Sequence, residues 1–260
     1  MPAESPSPLD ALPTSRILGV NIHNTTSDRL VDHVMASIKA GRRMRLVTLN
    51  TTGMMMVENN EFFRDFVDQA ELVVADGQPL IWLSSMGGPN PLPERIPGID
   101  LISRLAVAAG DEGLSIFLLG AEPDTVEHAT QRLQQQHPSV KVAGYHHGFL
   151  ADQAENVAAD IRLSGASILF VAMGSPRQEE FVAEFWDELG VSLAIGVGGS
   201  FEVIAGRASR APAWMQKFGL EWVHRASLEP RRLGPRYVAT GIWLLKRVPA
   251  FLAARFSRSR

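Results

Sequence analysis

Three features of this 260-residue chain predict an α/β fold: a Rossmann-like, mostly parallel sheet with helices on both faces, plus a C-terminal helical appendage. Short β-branched runs alternate with longer amphipathic ones, as βαβ units require. The strand candidates are apolar, which suits a sheet covered on both sides. From about Ala211 the strand signals stop and only helical patterns remain.

In chain order, strands are predicted at 17–21, 45–49, 72–75, 115–119, 141–144, 167–172 and 192–195. Each is short and rich in Val, Ile, Leu or Phe. Helices are predicted at 27–39, at 52–69 with a break near Asn59 and Asn60, and at 79–85, 99–109, 123–136, 152–163 and 176–189. Ahead of them, MPAESPSPLDALPTS has neither a basic n-region nor an apolar h-region, so 1–15 reads as a disordered leader. The α/β domain is expected over 16–206 and the appendage, two or three helices, over 207–260.

The net charge of −3 hides an asymmetry. Residues 207–260 carry 12 Lys or Arg against two acids, a balance of +10, which leaves −13 for the rest. A basic tail on an acidic body points to an anionic partner: phosphate, anionic lipid or nucleic acid. Its text bears on the choice. Trp214, Met215, Phe218, Leu220 and Trp222, and then Trp243, Leu244, Leu245, Val248, Phe251 and Leu252, are interleaved with Arg and Lys. That mixture suits a helix lying in a bilayer interface, apolar side down and cations among lipid phosphates. An anionic membrane surface is therefore the expected partner, and nucleic acid is not. The competing reading is an amphipathic helix packed on the body or on a second copy, and a homo-oligomer stays open. There is no Cys and no apolar stretch of the roughly 18–20 residues that would span a bilayer. A cytoplasmic protein held peripherally at the inner face of the membrane fits.

Ligands of a parallel α/β sheet bind outside the carboxyl ends of its strands, and several strands here end in polar or glycine-rich text. In ELVVADGQPLIW an apolar run stops at Asp76 and Gly77, where glycine lets the chain turn tightly. Asp76 is either a site carboxylate or the N-cap of the next helix. In MGSPRQEEF, Ser175 is a natural N-cap with Pro176 at N1, and the helix end suits anionic oxygens. Gln178 is the residue capping does not need. GVGGSFEVIAG is a poor dinucleotide fingerprint, because Phe201 replaces the third glycine, yet its amides suit a diphosphate. Adjacent His146 and His147 lack the spacing of a metal site. There is no D-x-D pair, P-loop or G-x-S-x-G elbow. Met54 to Met56 read as core filling.

Taken in order, VTLN (47–50), VVADGQPLIW (73–82), PLPERIPGIDLI (91–102), FLLGA (117–121), GYHHGF (144–149), VAMGSPRQEEF (171–181), GVGGSFEVIAG (196–206) and the stretch from RAPAWMQKFGLEWVHR to RY resemble the WecG/TagA/CpsF family, glycosyltransferase family 26. The resemblance implies an inverting, metal-independent transferase that uses no cofactor beyond its donor. It moves a sugar, N-acetylmannosamine-type or a related hexose, from a UDP-sugar to a polyprenyl-diphosphate-linked saccharide. By motif, the catalytic residues are Asp76, as base, Thr48 and Arg95. Asn50, Gly77, Gln178, Gly198, Gly199 and Glu202 fall in substrate-binding motifs, and Arg225, Arg232 and Arg236 map to the appendage arginines. Three departures stand out: Glu202 where the family usually has Asp, Gln78-Pro79 where many members have a small residue and glycine, and Ala226 where Leu is common. Inverting transfer fits the residues independently. It needs one base for the acceptor hydroxyl and cations for the departing diphosphate. Two rival classes are an oxidoreductase holding a nucleotide cofactor at the glycine-rich turn and a non-catalytic membrane scaffold.

Overall fold

The structure, a computed structural model, describes residues 9–86 and 90–257, without the side chains of Lys217, Arg232 and 254–257. A six-stranded parallel sheet is built from β3 (Met44–Leu49), β4 (Leu72–Ala75), β5 (Ser115–Gly120), β6 (Lys141–His146), β7 (Ile168–Ala172) and β8 (Leu193–Gly196). The strand order is β4-β3-β8-β7-β5-β6. The central strands β7 and β8 are buried along nearly their whole length, which is why they read as continuous apolar text.

Two apolar layers lie on the two faces. One joins the sheet to α2 (Thr51–Asn59), α3 (Glu61–Gln69), α4 (Gln78–Ser85), α7 (Ala154–Ser164) and α8 (Arg177–Leu189), around Phe63, Leu80, Ile161 and Phe181. The other joins it to α1 (Ser27–Lys39), α5 (Gly98–Asp111), α6 (Pro123–Gln136) and α9 (Ser200–Ile204), around Leu30, Leu101, Leu133 and Phe201. From β3 the chain leaves toward β4, and from β8 it leaves toward α9, which packs on α5 and α6. The carboxyl ends of the neighbours β3 and β8 therefore flank a crevice, the place such folds keep for ligands.

The predicted helix break is real. Asn60 ends α2 and caps α3, its side chain accepting from Phe63 N at 2.9 Å. The strand expected at 17–21 is instead a hairpin of β1 (Thr14–Ile17) and β2 (Val20–His23), with Ile17 opposite Val20. Leu18 and Gly19 both take positive φ in its two-residue turn. Leucine at such a position is unusual, so the turn left no signal. Leu12 is buried and Thr14 and Ser15 pair in β1, so order begins inside the stretch expected as leader.

The appendage forms α10 (Ala213–Lys217), α11 (Glu221–Leu228) and α12 (Pro230–Ser257). α12 is docked on α2: Thr240 and Thr52 hydroxyls meet at 3.3 Å, Trp243 Nε1 donates to Glu58 at 2.8 Å, and Arg247 pairs with the same carboxylate. Trp243, Leu244, Val248 and Phe251 pack against the body. This corrects their assignment to a bilayer-facing surface, because the sheet's helical layer already covers them. The exposed apolar side chains are others: Val238, Ile242 and Leu245 on α12, and Trp214, Phe218 and Trp222 before it. No helix among the described residues is long and apolar enough to cross a membrane.

Candidate active site

The site is assembled at the rim formed by β3, β4 and β8. Asp76 follows β4, and its backbone N–H donates to Leu49 O at 2.9 Å, which ties the ends of β4 and β3 together. Gly77 then passes so close to β3's exit that a Cβ would lie 3.3 Å from Asn50 Cα and from Thr51 N. Gly77, not Asp76, occupies the N-cap of α4, and no side chain caps that helix. The capping reading of Asp76 therefore fails, and its carboxylate is left at the lip of the cleft. Protein surrounds it on most sides while part of it stays open to solvent.

Burial pushes the Asp76 carboxyl up to about 6, against the pull of Arg225 and Arg95 and with added repulsion from Glu221 and Asp100. An acid tuned into this range can hold and release a proton near neutrality.

The cations come from two directions. Arg95 lies in the extended segment beside β4, where Ile96 N donates to Ala75 O at 2.7 Å. Its guanidinium pairs with Glu221 of α11. Arg210 reaches the same carboxylate at 3.6 Å and grips Asp100 through two bonds of 2.6 and 2.8 Å. Arg225, one turn along α11, is exposed yet within electrostatic reach of Asp76. The appendage thus supplies charge to the rim. Glu221, Asp100 and Arg210 were missed from sequence, because nothing local shows that Glu221 and Arg210 of the appendage each meet a partner more than 100 positions away.

Thr48 donates to Gly196 O at 3.2 Å, bridging the ends of β3 and β8. Asn50 caps α2 through Gly53 N at 3.0 Å. Both line a small pocket with Met56, Ser175, Gly196 and Arg236. Met54 is buried in the core, but Met56 is pocket wall.

The Ser-Pro turn departs from expectation. α8 begins at Arg177, with Pro176 at the N-cap and no side-chain cap bond. Ser175 instead donates to Glu179 at 2.9 Å. Gln178 is 5% exposed; its Nε2 donates to Ser175 Oγ and to Glu179, and its Oε1 accepts from Gly198 N at 3.1 Å. The Gly198 amide, expected to cradle a diphosphate, is thereby committed within the protein. Gly199 caps α9, and Glu202 lies on α9 at the same strand end. The Arg232 side chain lies outside the described residues. Burial lifts the Glu179 carboxyl to about 7 despite the two donors on it.

A family model described as "Glycosyl transferase WecG/TagA/CpsF family" matches residues 15–260. Relatives named N-acetylglucosaminyldiphosphoundecaprenol N-acetyl-beta-D-mannosaminyltransferase include those of Staphylococcus aureus strains NCTC 8325 / PS 47 and COL. Each is 33% identical over 238 residues, covering 91% of this chain and 89% of the relative. The same enzyme of strain MRSA252 is 32% identical over the same coverage. The family match and the relatives' names make the chain a glycosyltransferase. The chain belongs to the WecG/TagA/CpsF family.

Proposed function

We propose that the protein is an inverting, metal-independent transferase that moves an N-acetylmannosamine-type sugar from a UDP-sugar to a polyprenyl-diphosphate-linked saccharide. It works at the inner face of the cytoplasmic membrane. One observation carries the reading: a carboxylate on the sheet's rim that caps no helix, raised to about 6 and flanked by guanidinium groups of the body and of the appendage. The names of the relatives supply the acceptor and sugar class.

In the reaction, the acceptor hydroxyl oxygen attacks the anomeric carbon while its proton passes to Asp76. The bond from that carbon to the diphosphate oxygen breaks, and its electron pair leaves with UDP. One base suffices, since no covalent intermediate forms. Charge growing on the departing diphosphate is met by arginines of the rim and appendage, fixed before the step. The exposed tryptophans and apolar side chains of the appendage suit an acceptor that stays in a bilayer.

The test is incubation with a panel of UDP-sugars and a polyprenyl-diphosphate N-acetylglucosamine analogue, scoring UDP release with and without EDTA. Release dependent on acceptor and indifferent to EDTA is expected. Absence of release with every donor, or its loss on chelation, overturns the proposal.

A further inference from the structure

Gln178 and Glu179 open α8 directly beneath the end of β8, and they fit only because residue 196 is glycine. A Cβ there would stand 2.3 Å from Gln178 Nε2 and 3.2 Å from Glu179 Oε1. The Gly198 amide fixes the orientation of the Gln178 carboxamide, so Nε2 faces Glu179. Glu179 is 4% exposed, and its Oε1 accepts from both Ser175 Oγ and Gln178 Nε2. Its Oε2 has no partner among the described residues. Glu179 lines the crevice pocket together with Thr48, Asn50 and Arg236. A buried polar oxygen left unpaired beside a pocket calls for a partner from outside the chain.

We propose that Glu179 binds substrate as a neutral acid, donating from Oε2 to an anionic diphosphate oxygen of the nucleotide held in this pocket. The inference rests on the transferase reading above and adds a residue and a protonation state to it. With Oε1 already accepting two hydrogen bonds, the proton belongs on Oε2. An ionised carboxylate there would repel the diphosphate, whereas the acid donates to it. Around it, Glu180 follows on α8 and adds repulsion, Arg236 faces the pocket from α12, and Thr48 of β3 and Gly196 of β8 bring no charge. Burial, with the Glu180 charge, holds the acid form up to about pH 7. Arg236 marks the pocket as one for an anion.

The experiment is calorimetric titration of the full-length wild type, Glu179→Gln and Glu179→Leu with UDP from pH 5.5 to 8.5, with melting curves as a check on folding. Ionisation of UDP itself is common to all three and cancels in the comparison. Between pH 6 and 8 the wild type should lose about tenfold more affinity than Glu179→Gln, whose amide does not titrate. At pH 6 Glu179→Leu should bind about tenfold more weakly than wild type. Should Glu179→Leu fail to fold, the Glu179→Gln comparison decides alone. Parallel pH profiles of wild type and Glu179→Gln, or a Glu179→Leu protein that binds UDP as well as wild type, overturn the inference. A wild type that binds inorganic pyrophosphate but not UDP overturns the nucleotide reading, and the same pH comparison on pyrophosphate then judges the acid. Binding of neither overturns both.

Discussion

Glu221 of the appendage holds the Arg95 guanidinium of the body at the rim that carries Asp76. Both side chains are 15% exposed, so the pair is well shielded from water. Through this contact, a helix outside the α/β domain adjusts the charge around the proposed base.

Asp76→Asn removes that base and keeps its shape. Transfer should fall about 10²- to 10⁴-fold while UDP binding persists, as measured by steady-state rates and calorimetry. Because the base works ionised and its folded value is about 6, wild-type kcat/KM should decline as pH falls below that value.

The neighbours of Asp76 predict shifts of opposite sign. Glu221 raises its titration and Arg225 lowers it. The acid limb of kcat/KM should therefore move to lower pH in Glu221→Gln and to higher pH in Arg225→Gln. Shifts of the same sign in both variants would contradict the arrangement.

Val238, Ile242 and Leu245 recur at helical spacing on the exposed side of α12, opposite the face packed on the body. Ile242→Glu with Leu245→Glu should cut sedimentation with anionic vesicles by at least about tenfold, since each change removes apolar burial and adds a repelled charge. Melting temperature, set by the packed face, should move little.

Glu179 predicts a stability signature independent of turnover. Its carboxyl goes from an ordinary 4.5 to about 7 on folding. Between those values the folded protein keeps a proton that the unfolded chain has released. Stability from this group is thus greatest below 4.5, falls as pH rises to about 7 and is level above. Glu179→Gln lacks the decline, so its melting temperature relative to wild type should rise by several degrees from pH 5 to pH 8.

Much of this was legible in the chain. Strand runs such as ILFVA at 168–172 are apolar because both faces are covered, and Asn60 announces a helix break through its capping chemistry. Asp76 stood out because a carboxylate ends an apolar run. The hairpin was hidden by leucine at a positive-φ turn position. Ser175 looked like a cap, and only the turn that sends its hydroxyl back to Glu179 shows otherwise. Glu179 itself reads as an acid complementing a helix N-terminus. Its burial depends on Gly196, a strand end that sequence does not place beside it. The split of α12 into a docked face and a bare face likewise depends on which side meets α2.

The docking of α12 has a geometric corollary. Asn50, which lines the pocket, caps α2, and α12 meets both ends of that helix, Thr52 through Thr240 and Glu58 through Trp243 and Arg247. Arg236 of the same α12 lines the pocket itself. If α12 rests on lipid, the crevice lies about 10 Å, one helix diameter, above the headgroups. Reach is then set by the thickness of that helix, and a lipid-borne sugar chain is selected by how far it stands off the bilayer.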